Sequence, residues 1–130
     1  MPPRSKPFKI SPTNPSIKEI QTEPERHMDM PYAPAMRVEA PGDLLFISGA
    51  TCSPLYHKHP HNPQEEALQP DDIRQQTRLC LRNHKEILDW MGLGWRNVVK
   101  LRRYQTRMSE SKQIEEVMAE YFKGWWPAMI

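Results

Sequence analysis

The spacing of apolar positions divides the chain into a first half of strands and turns and a mainly helical second half. Apolar residues recur at helical spacing over 72–91 and again over about 111–123, which predicts two amphipathic helices. Asp72 is placed to cap the first helix, with Gln75 as its partner in a capping box. Both helices are followed by glycine, which is typical of a helix end.

The other apolar runs have the lengths and patterns of strands. We predict strands at Met36–Glu39 and Leu44–Ser48, paired antiparallel through a Pro-Gly-Asp turn, and a third at Val98–Thr106. The continuous apolar character of Leu44–Ser48 predicts burial on both faces, and Val99 is expected to share one face of the third strand with Leu101.

The order of these elements predicts an α/β (α+β) sandwich with two helices on one face of a sheet. The other face of the sheet must also be covered. In so small a domain, association with copies of the same chain is the simplest cover.

The first 28 residues have a different composition from the rest. Thirteen of the 14 prolines lie in the first 70 residues, and residues 1–28 combine many of them with low hydrophobicity. This composition predicts an extended N-terminal arm, in which Phe8–Ile10 alternates like an edge strand. Residues 29–130 then form a single folded domain.

Bulk properties exclude several classes of protein. A net charge of +2 over 130 residues gives no reason to expect binding to nucleic acid or to a membrane surface. No apolar run is long enough to span a bilayer, and the N-terminus does not have the pattern of a secretory signal. Cys52 and Cys80 are expected to be reduced thiols in a cytoplasmic protein.

Five stretches in the same order resemble the Rid family of reactive-intermediate (enamine/imine) deaminases, formerly called the L-PSP endoribonuclease family. They are PYAPAM (31–36), GDLLFISG (42–49), DIRQQTR (72–78), NVVK (97–100) and EEVMAEYF (115–122) followed by Pro-Ala. The resemblance implies a chorismate-mutase-like fold, with a mixed β-sheet and two helices packed on one face. It also implies a homotrimer whose small-molecule clefts lie between subunits.

The same resemblance implies a chemistry and a set of site residues. Family members hydrolyse enamines or imines to a carbonyl compound and ammonia without a cofactor. The backbone after the LLFISG strand lines their cleft, which in this chain corresponds to Ser48 and Gly49, with the ring of Tyr32 nearby. Without the resemblance, the favoured interpretation of Tyr32 is a packing ring whose hydroxyl has a hydrogen-bond partner.

Two departures from the family pattern bear on activity. The family arginine that binds the substrate carboxylate corresponds here to Met129, and a thioether cannot bind a carboxylate by charge. Two further family strands, the last with a glutamate that helps to position water, are missing after residue 130, so the chain is either a fragment or completed in another way. We hypothesise that the N-terminal arm fills the empty sheet edge by strand addition.

Other side chains are candidates for substrate binding. Arg102 or Arg103 could enter the cleft and hold an anion, or could remain solvated or bridge subunits. Trp125 and Trp126 could form an aromatic wall for a flat ligand or anchor the helix exit in the core. The cationic run from Lys100 lacks the interleaved aromatic platform of an RNA-binding surface, so nucleic acid is not expected.

A polar loop at 51–70 contains Cys52, His57, His59 and His61. These side chains can ligate zinc, but their spacing matches no common site, so we predict a polar surface loop without metal. Two functions remain open at this point. One is a hydrolase of small enamines or imines, and the other is a non-catalytic homologue that binds a small molecule or a partner.

Overall fold

The structure is a computed structural model that describes residues 7–39 and 42–129. Its strands are β1 (Lys9–Ile10), β2 (Ile17–Ile20), β3 (Ala35–Val38), β4 (Leu44–Ile47), β5 (Lys100–Leu101) and β6 (Ala128–Met129). Its α-helices are α1 (Pro63–Glu66), α2 (Ile73–Trp90) and α3 (Ser111–Phe122). Three 3-10 helices lie at Pro24–Asp29, Trp95–Asn97 and Met108–Glu110.

Strands β1 to β4 form an antiparallel sheet in sequence order. The predicted pairing of the PYAPAM and LLFISG segments is confirmed, with Met36 directly opposite Phe46. The turn that joins them includes Gly42 at φ +81°, a left-handed conformation that glycine adopts at little cost. Pro41, the first residue of the predicted turn, lies outside the described residues.

The N-terminal arm is part of this sheet. Strand β2 pairs antiparallel with β3 from Ile17 opposite Val38 to Ile20 opposite Ala35, and β1 continues the sheet as an edge strand. The arm therefore adds strands to the sheet, and it does so at the β3 edge. At the other edge, β4 has no further strand partner among the residues described.

Helix α2 joins two apolar cores. Its Leu81 packs with the buried face of α3, which comprises Ile114, Val117, Met118 and Phe122. One and a half turns later, Ile87 packs with Ile20 of β2 and Ala35 of β3. The helix thereby contacts both the four-stranded sheet and α3, while α3 itself packs near Leu101 of β5.

Local signals set both ends of the helices as predicted. The Asp72 carboxylate accepts a hydrogen bond from the Gln75 N–H at 3.0 Å, so the helix cap is confirmed. The end of α3 lies at Lys123 and Gly124, both with positive φ. Ion pairs between Arg74 and Glu116 and between Arg78 and Glu120 join α2 to α3, with N–O distances of 2.5 and 3.0 Å.

Two predictions about strands need correction. Strand β4 is covered on one face only within the chain, because Leu45 and Ile47 pack toward α2 while Leu44 and Phe46 are exposed. The strand predicted over 98–106 is only two residues long, since its hydrogen-bonded partner is the equally short β6. Val99 is 74% exposed, and Val98 packs against the α3 core in its place.

No helix in the described part of the chain is both long and apolar enough to cross a membrane. Both cysteines are free, as predicted.

Candidate functional site

Ser48 fixes the end of β4 against the segment that carries Tyr32. The Ser48 N–H donates to the Pro34 carbonyl at 2.9 Å, and its hydroxyl donates to the Ala33 carbonyl at 2.6 Å. Tyr32 immediately precedes these acceptors, so the predicted neighbours Tyr32 and Ser48 are brought together. Because both donors of Ser48 are already used, its role here is to hold the two segments in register.

Gly49, which follows Ser48 at the end of β4, has an accessible backbone. It is exposed, and a Cβ at this position would meet no atom within 4 Å. The Gly49 N–H has no hydrogen-bond partner among the described residues. It is therefore a backbone donor available to a ligand at the end of β4.

The ring of Tyr32 lies between solvent and the histidine loop. The side chain is 40% exposed and meets His59 edge-on, with ring centroids 5.8 Å apart. Partial burial raises the pKa of Tyr32 above its ordinary value. The phenol is therefore protonated at neutral pH and can donate a hydrogen bond.

The loop at 51–70 is folded over this strand end. Asn83 of α2 is 1% exposed, and its amide donates to the carbonyls of Thr51 at 3.0 Å and Ser53 at 2.6 Å. The buried Tyr56 hydroxyl donates to the Gln21 side chain at 2.7 Å. These contacts tie the loop both to the helix and to the N-terminal arm.

Sequence reasoning missed Asn83 as a functional support. The available signal was a polar residue on the face of α2 that also carries Cys80 and Ile87. A polar side chain at such a position needs partners, and the loop carbonyls supply them for the amide NH2, while Asn83 Oδ1 has no hydrogen-bond partner among the described residues.

The two candidate arginines have different environments. Arg103 is 20% exposed at its side chain and contacts α3, where its guanidinium pairs with Glu115 at 3.3 Å. Arg102 is exposed on the opposite side of this segment and has no ion-pair partner among the described residues. Of the two, only Arg102 is available to an external anion.

The aromatic pair and Met129 lie near α3 and the second sheet. Trp126 stacks on Phe122 with centroids 5.6 Å apart, whereas Trp125 is 63% exposed. Met129 is paired with Leu101 across the β5–β6 ladder. One tryptophan is therefore an anchor at the helix exit, and the other is free to contact a ligand.

The predicted site residues thus form two groups. Tyr32, Ser48 and Gly49 lie beside strands β3 and β4 of the first sheet, while Arg102, Arg103, Trp125, Trp126 and Met129 lie in or beside β5 and β6 of the second. No hydrogen bond, ion pair or ring contact joins the two groups within the described part of the chain. A polar cavity of about 420 Å³ contains none of them and is lined by Asp71, Gln76, Thr106, Arg107 and Glu110.

Comparison with known proteins identifies the class to which this α+β fold belongs. The family described as Endoribonuclease L-PSP matches residues 23–130. A RutC family protein of Pyrococcus horikoshii is 33% identical over 100 residues, covering 77% of this chain and 71% of the relative. The chain therefore belongs to the endoribonuclease L-PSP family, also known as the YjgF/Rid family, and the predicted resemblance is confirmed.

Solved structures of family members agree with this assignment. The Rid family protein YyfA of Yersinia pestis is 29% identical with a TM-score of 0.66, over 87% of this chain and 82% of that chain. A Mycobacterium tuberculosis member of the YjgF/YER057c/UK114 family is 26% identical with a TM-score of 0.62, over 88% and 80%. The chain has the chorismate-mutase-like fold of this family, as predicted.

Proposed function

We propose that this protein hydrolyses a small enamine or imine and releases ammonia. An enamine first tautomerises to the imine, water adds to the imine carbon, and the resulting carbinolamine expels ammonia to leave the carbonyl compound. One water is consumed and one ammonia is formed, with no change in oxidation state. The reaction needs polar groups that orient the imine and the water, and it needs no cofactor.

The observation that carries this proposal is that Ser48 joins the segment of Tyr32 to the strand end where the Gly49 N–H is open. Ser48 is held by hydrogen bonds of 2.6 and 2.9 Å to the Tyr32 segment, so the donors of Gly49 and Tyr32 are attached to one rigid strand end. Donors fixed in advance stabilise charge that develops on the carbinolamine without reorganisation during the reaction.

We further propose that Arg102 binds an anionic group of the substrate. Met129 stands where the family resemblance places a carboxylate-binding arginine, and Arg103 is already paired with Glu115. Arg102 is exposed and has no ion-pair partner among the described residues, so its guanidinium is available to a carboxylate.

A homotrimer would bring the two groups of site residues to shared clefts. The sheet face turned away from α2 bears exposed apolar side chains, including Met36 and Phe46. Packing these faces together around a common axis covers them and creates pockets at the seams. The two free cysteines fit a reducing compartment, and we place the protein in the cytoplasm.

The direct test is ammonia release by purified trimer from 2-imino acids generated in the assay by an amino acid oxidase. The expected result is ammonia formation faster than the spontaneous hydrolysis, proportional to protein concentration. Saturable binding of a stable carboxylate analogue without acceleration of ammonia release would instead support a non-catalytic binding protein. That outcome would overturn the proposed hydrolase.

A further inference from the structure

Three of the chain's five histidines lie together in the loop over the candidate cleft. The rings of His57, His59 and His61 have centroid separations of 4.6 to 5.1 Å. One ligand atom from each side chain can be chosen so that all three atoms lie within 4.8 Å of one another. We propose that these three imidazoles form a binding site for a divalent transition-metal ion of the zinc type.

The hydrogen bond made by Nδ1 of His57 leaves Nε2 of the same ring available to a metal ion. Its Nδ1 lies 2.7 Å from the Pro54 carbonyl, and a carbonyl can only accept, so Nδ1 carries the proton. Nε2 of a neutral ring then has a free lone pair. This arrangement, with one ring nitrogen donating to a backbone carbonyl and the other free, is typical of metal-binding histidines.

His61 faces His57 through the same ring nitrogen. Its Nδ1 lies 3.7 Å from a carboxylate oxygen of Glu66, just beyond hydrogen-bond distance. The Nε2 atoms of His57 and His61 are 3.3 Å apart. A separation of this size fits either one proton shared between the rings or one metal ion bound to both.

The separation of these nitrogens fits tetrahedral coordination. Zinc–nitrogen bonds of about 2.0–2.1 Å place neighbouring ligand atoms about 3.3–3.4 Å apart. The His57–His61 separation of 3.3 Å is one edge of such a tetrahedron. The longest separation, within 4.8 Å, requires one side chain to turn inward by roughly an ångström.

His59 contributes a third nitrogen and the link to the cleft. Its Nε2 is buried and has no hydrogen-bond partner. This buried nitrogen without a partner is therefore available to bind a metal ion. The same ring meets Tyr32 edge-on, so an ion here would lie close to that candidate site residue.

The sequence pattern also offered Cys52 as a ligand, and the structure leaves it out of the cluster. Burial is the main cause that raises the pKa of Cys52, so this thiol does not favour the thiolate form that binds zinc. Three histidines leave the fourth tetrahedral position for water or a ligand. Such open three-ligand sites are those that zinc enzymes use for chemistry.

The test uses untagged full-length protein, because a polyhistidine tag binds the same metals. Chelator-treated protein is titrated with Co²⁺, whose visible absorption reports tetrahedral nitrogen coordination, and then with Zn²⁺. We expect about one Co²⁺ per chain, displaced by an equal amount of Zn²⁺. The double substitution H57Q/H61Q should weaken Co²⁺ binding by at least about 100-fold.

His27→Gln is a matched control. The Nδ1 of His27 also lies near the carbonyl three residues earlier, at 2.9 Å from Pro24, but its ring contacts Phe8 instead of another histidine. This variant should retain wild-type Co²⁺ binding. If H57Q/H61Q does not fold by circular dichroism, His61→Asn replaces it, since that side chain is 54% exposed.

Either of two results would overturn the proposal. One is wild-type protein that takes up no Co²⁺. A proton shared between His57 and His61 would then explain why their nitrogens face each other. The other is undiminished Co²⁺ binding by the histidine variants. Both are independent of ammonia release, so the metal site and the proposed hydrolysis can fail separately.

Discussion

Met36 of β3 lies directly opposite Phe46 of β4, and both side chains are exposed, by 39% and 60% respectively. Their neighbours in the same strands, Ala35 and Ile47, pack toward Ile87 of α2 on the other face. The strand pair therefore has one face covered by the helix and one apolar face open. We call the open side, which carries Met36, Val38, Leu44 and Phe46, the outer face.

The outer face explains why β4 has a continuous apolar sequence although only half of its side chains are covered within the chain. Apolar residues on both sides of a strand are typical of a sheet that is buried on both faces. The helix supplies one cover, and we propose that other copies of the chain supply the second.

Removal of the Tyr32 hydroxyl should slow the reaction. We expect Tyr32→Phe to lower kcat/KM for imine hydrolysis by about 10- to 100-fold, because one positioned donor of about 1–3 kcal/mol is lost. Tyr104→Phe is the control, since Tyr104 is 85% exposed and belongs to neither group of site residues. Equal activity of the Tyr32 variant and wild type would exclude Tyr32 from catalysis.

Substitutions of Arg102 and of Arg103 should have different effects on KM. Arg102→Met should raise KM for a 2-imino acid by about 10-fold or more, because a charge-assisted contact to the carboxylate is lost. Arg103→Met should leave KM nearly unchanged and lower the free energy of unfolding by about 0–1 kcal/mol, because it breaks a surface ion pair with Glu115. The reverse ranking of the two KM values would contradict the assignment.

Asn83 should be a large stability determinant although it lies far from any reacting atom. Asn83→Ala removes two hydrogen bonds and leaves the Thr51 and Ser53 carbonyls without them. We expect the free energy of urea unfolding to fall by about 2–3 kcal/mol. Lys85→Ala, on the exposed side of the same helix, should change it by less than about 0.5 kcal/mol. A similar small change for both variants would show that Asn83 does not hold the loop.

Cys80 should be nearly inert to alkylation at neutral pH. Burial, with a smaller contribution from Cys52, raises the pKa of Cys80 to about 11. At pH 8 about one molecule in a thousand then carries the reactive thiolate, so iodoacetamide should label folded Cys80 at least about 100-fold more slowly than an unfolded chain. Peptide mass spectrometry measures both rates.

The raised pKa of Cys80 also determines the direction in which pH changes the stability of the fold. The folded state favours the neutral thiol, so Cys80 stabilises the fold below the ordinary thiol pKa of 9.0, and this contribution is lost as pH rises toward about 11. The labelling rate should increase over the same interval. Rapid labelling of folded Cys80 at pH 8 would contradict the raised pKa.

The helices and the central strand pair could be predicted from sequence because their signals are local. Asp72 caps α2 as its sequence indicates, and the alternating segments before and after the Gly42 turn pair as expected. The sequence predicts too long a strand at 98–106, because it shows the alternation of side chains but not the length of the strand that pairs with them. Ladder length depends on β6, which lies more than 25 residues further along the chain.

The candidate site was only partly predictable. Tyr32, Ser48 and Gly49 were found through the family motifs, and the structure brings them together at one strand end. The histidine cluster was not predicted, because residue spacing does not show how a proline-rich loop folds. The decisive contacts are the His57 hydrogen bond to Pro54 and the facing ring nitrogens of His57 and His61.

Coverage of the outer face by other copies of the chain is the central expectation, and sedimentation velocity tests it most directly. Wild-type protein should sediment with three times the mass of the chain, and Phe46→Glu should shift it to monomer while circular dichroism stays unchanged. Leu68→Glu, at an 83% exposed apolar residue outside the sheets, should remain trimeric. A wild-type protein that stays monomeric at high micromolar concentration, or a Phe46→Glu variant that remains trimeric, would contradict the account.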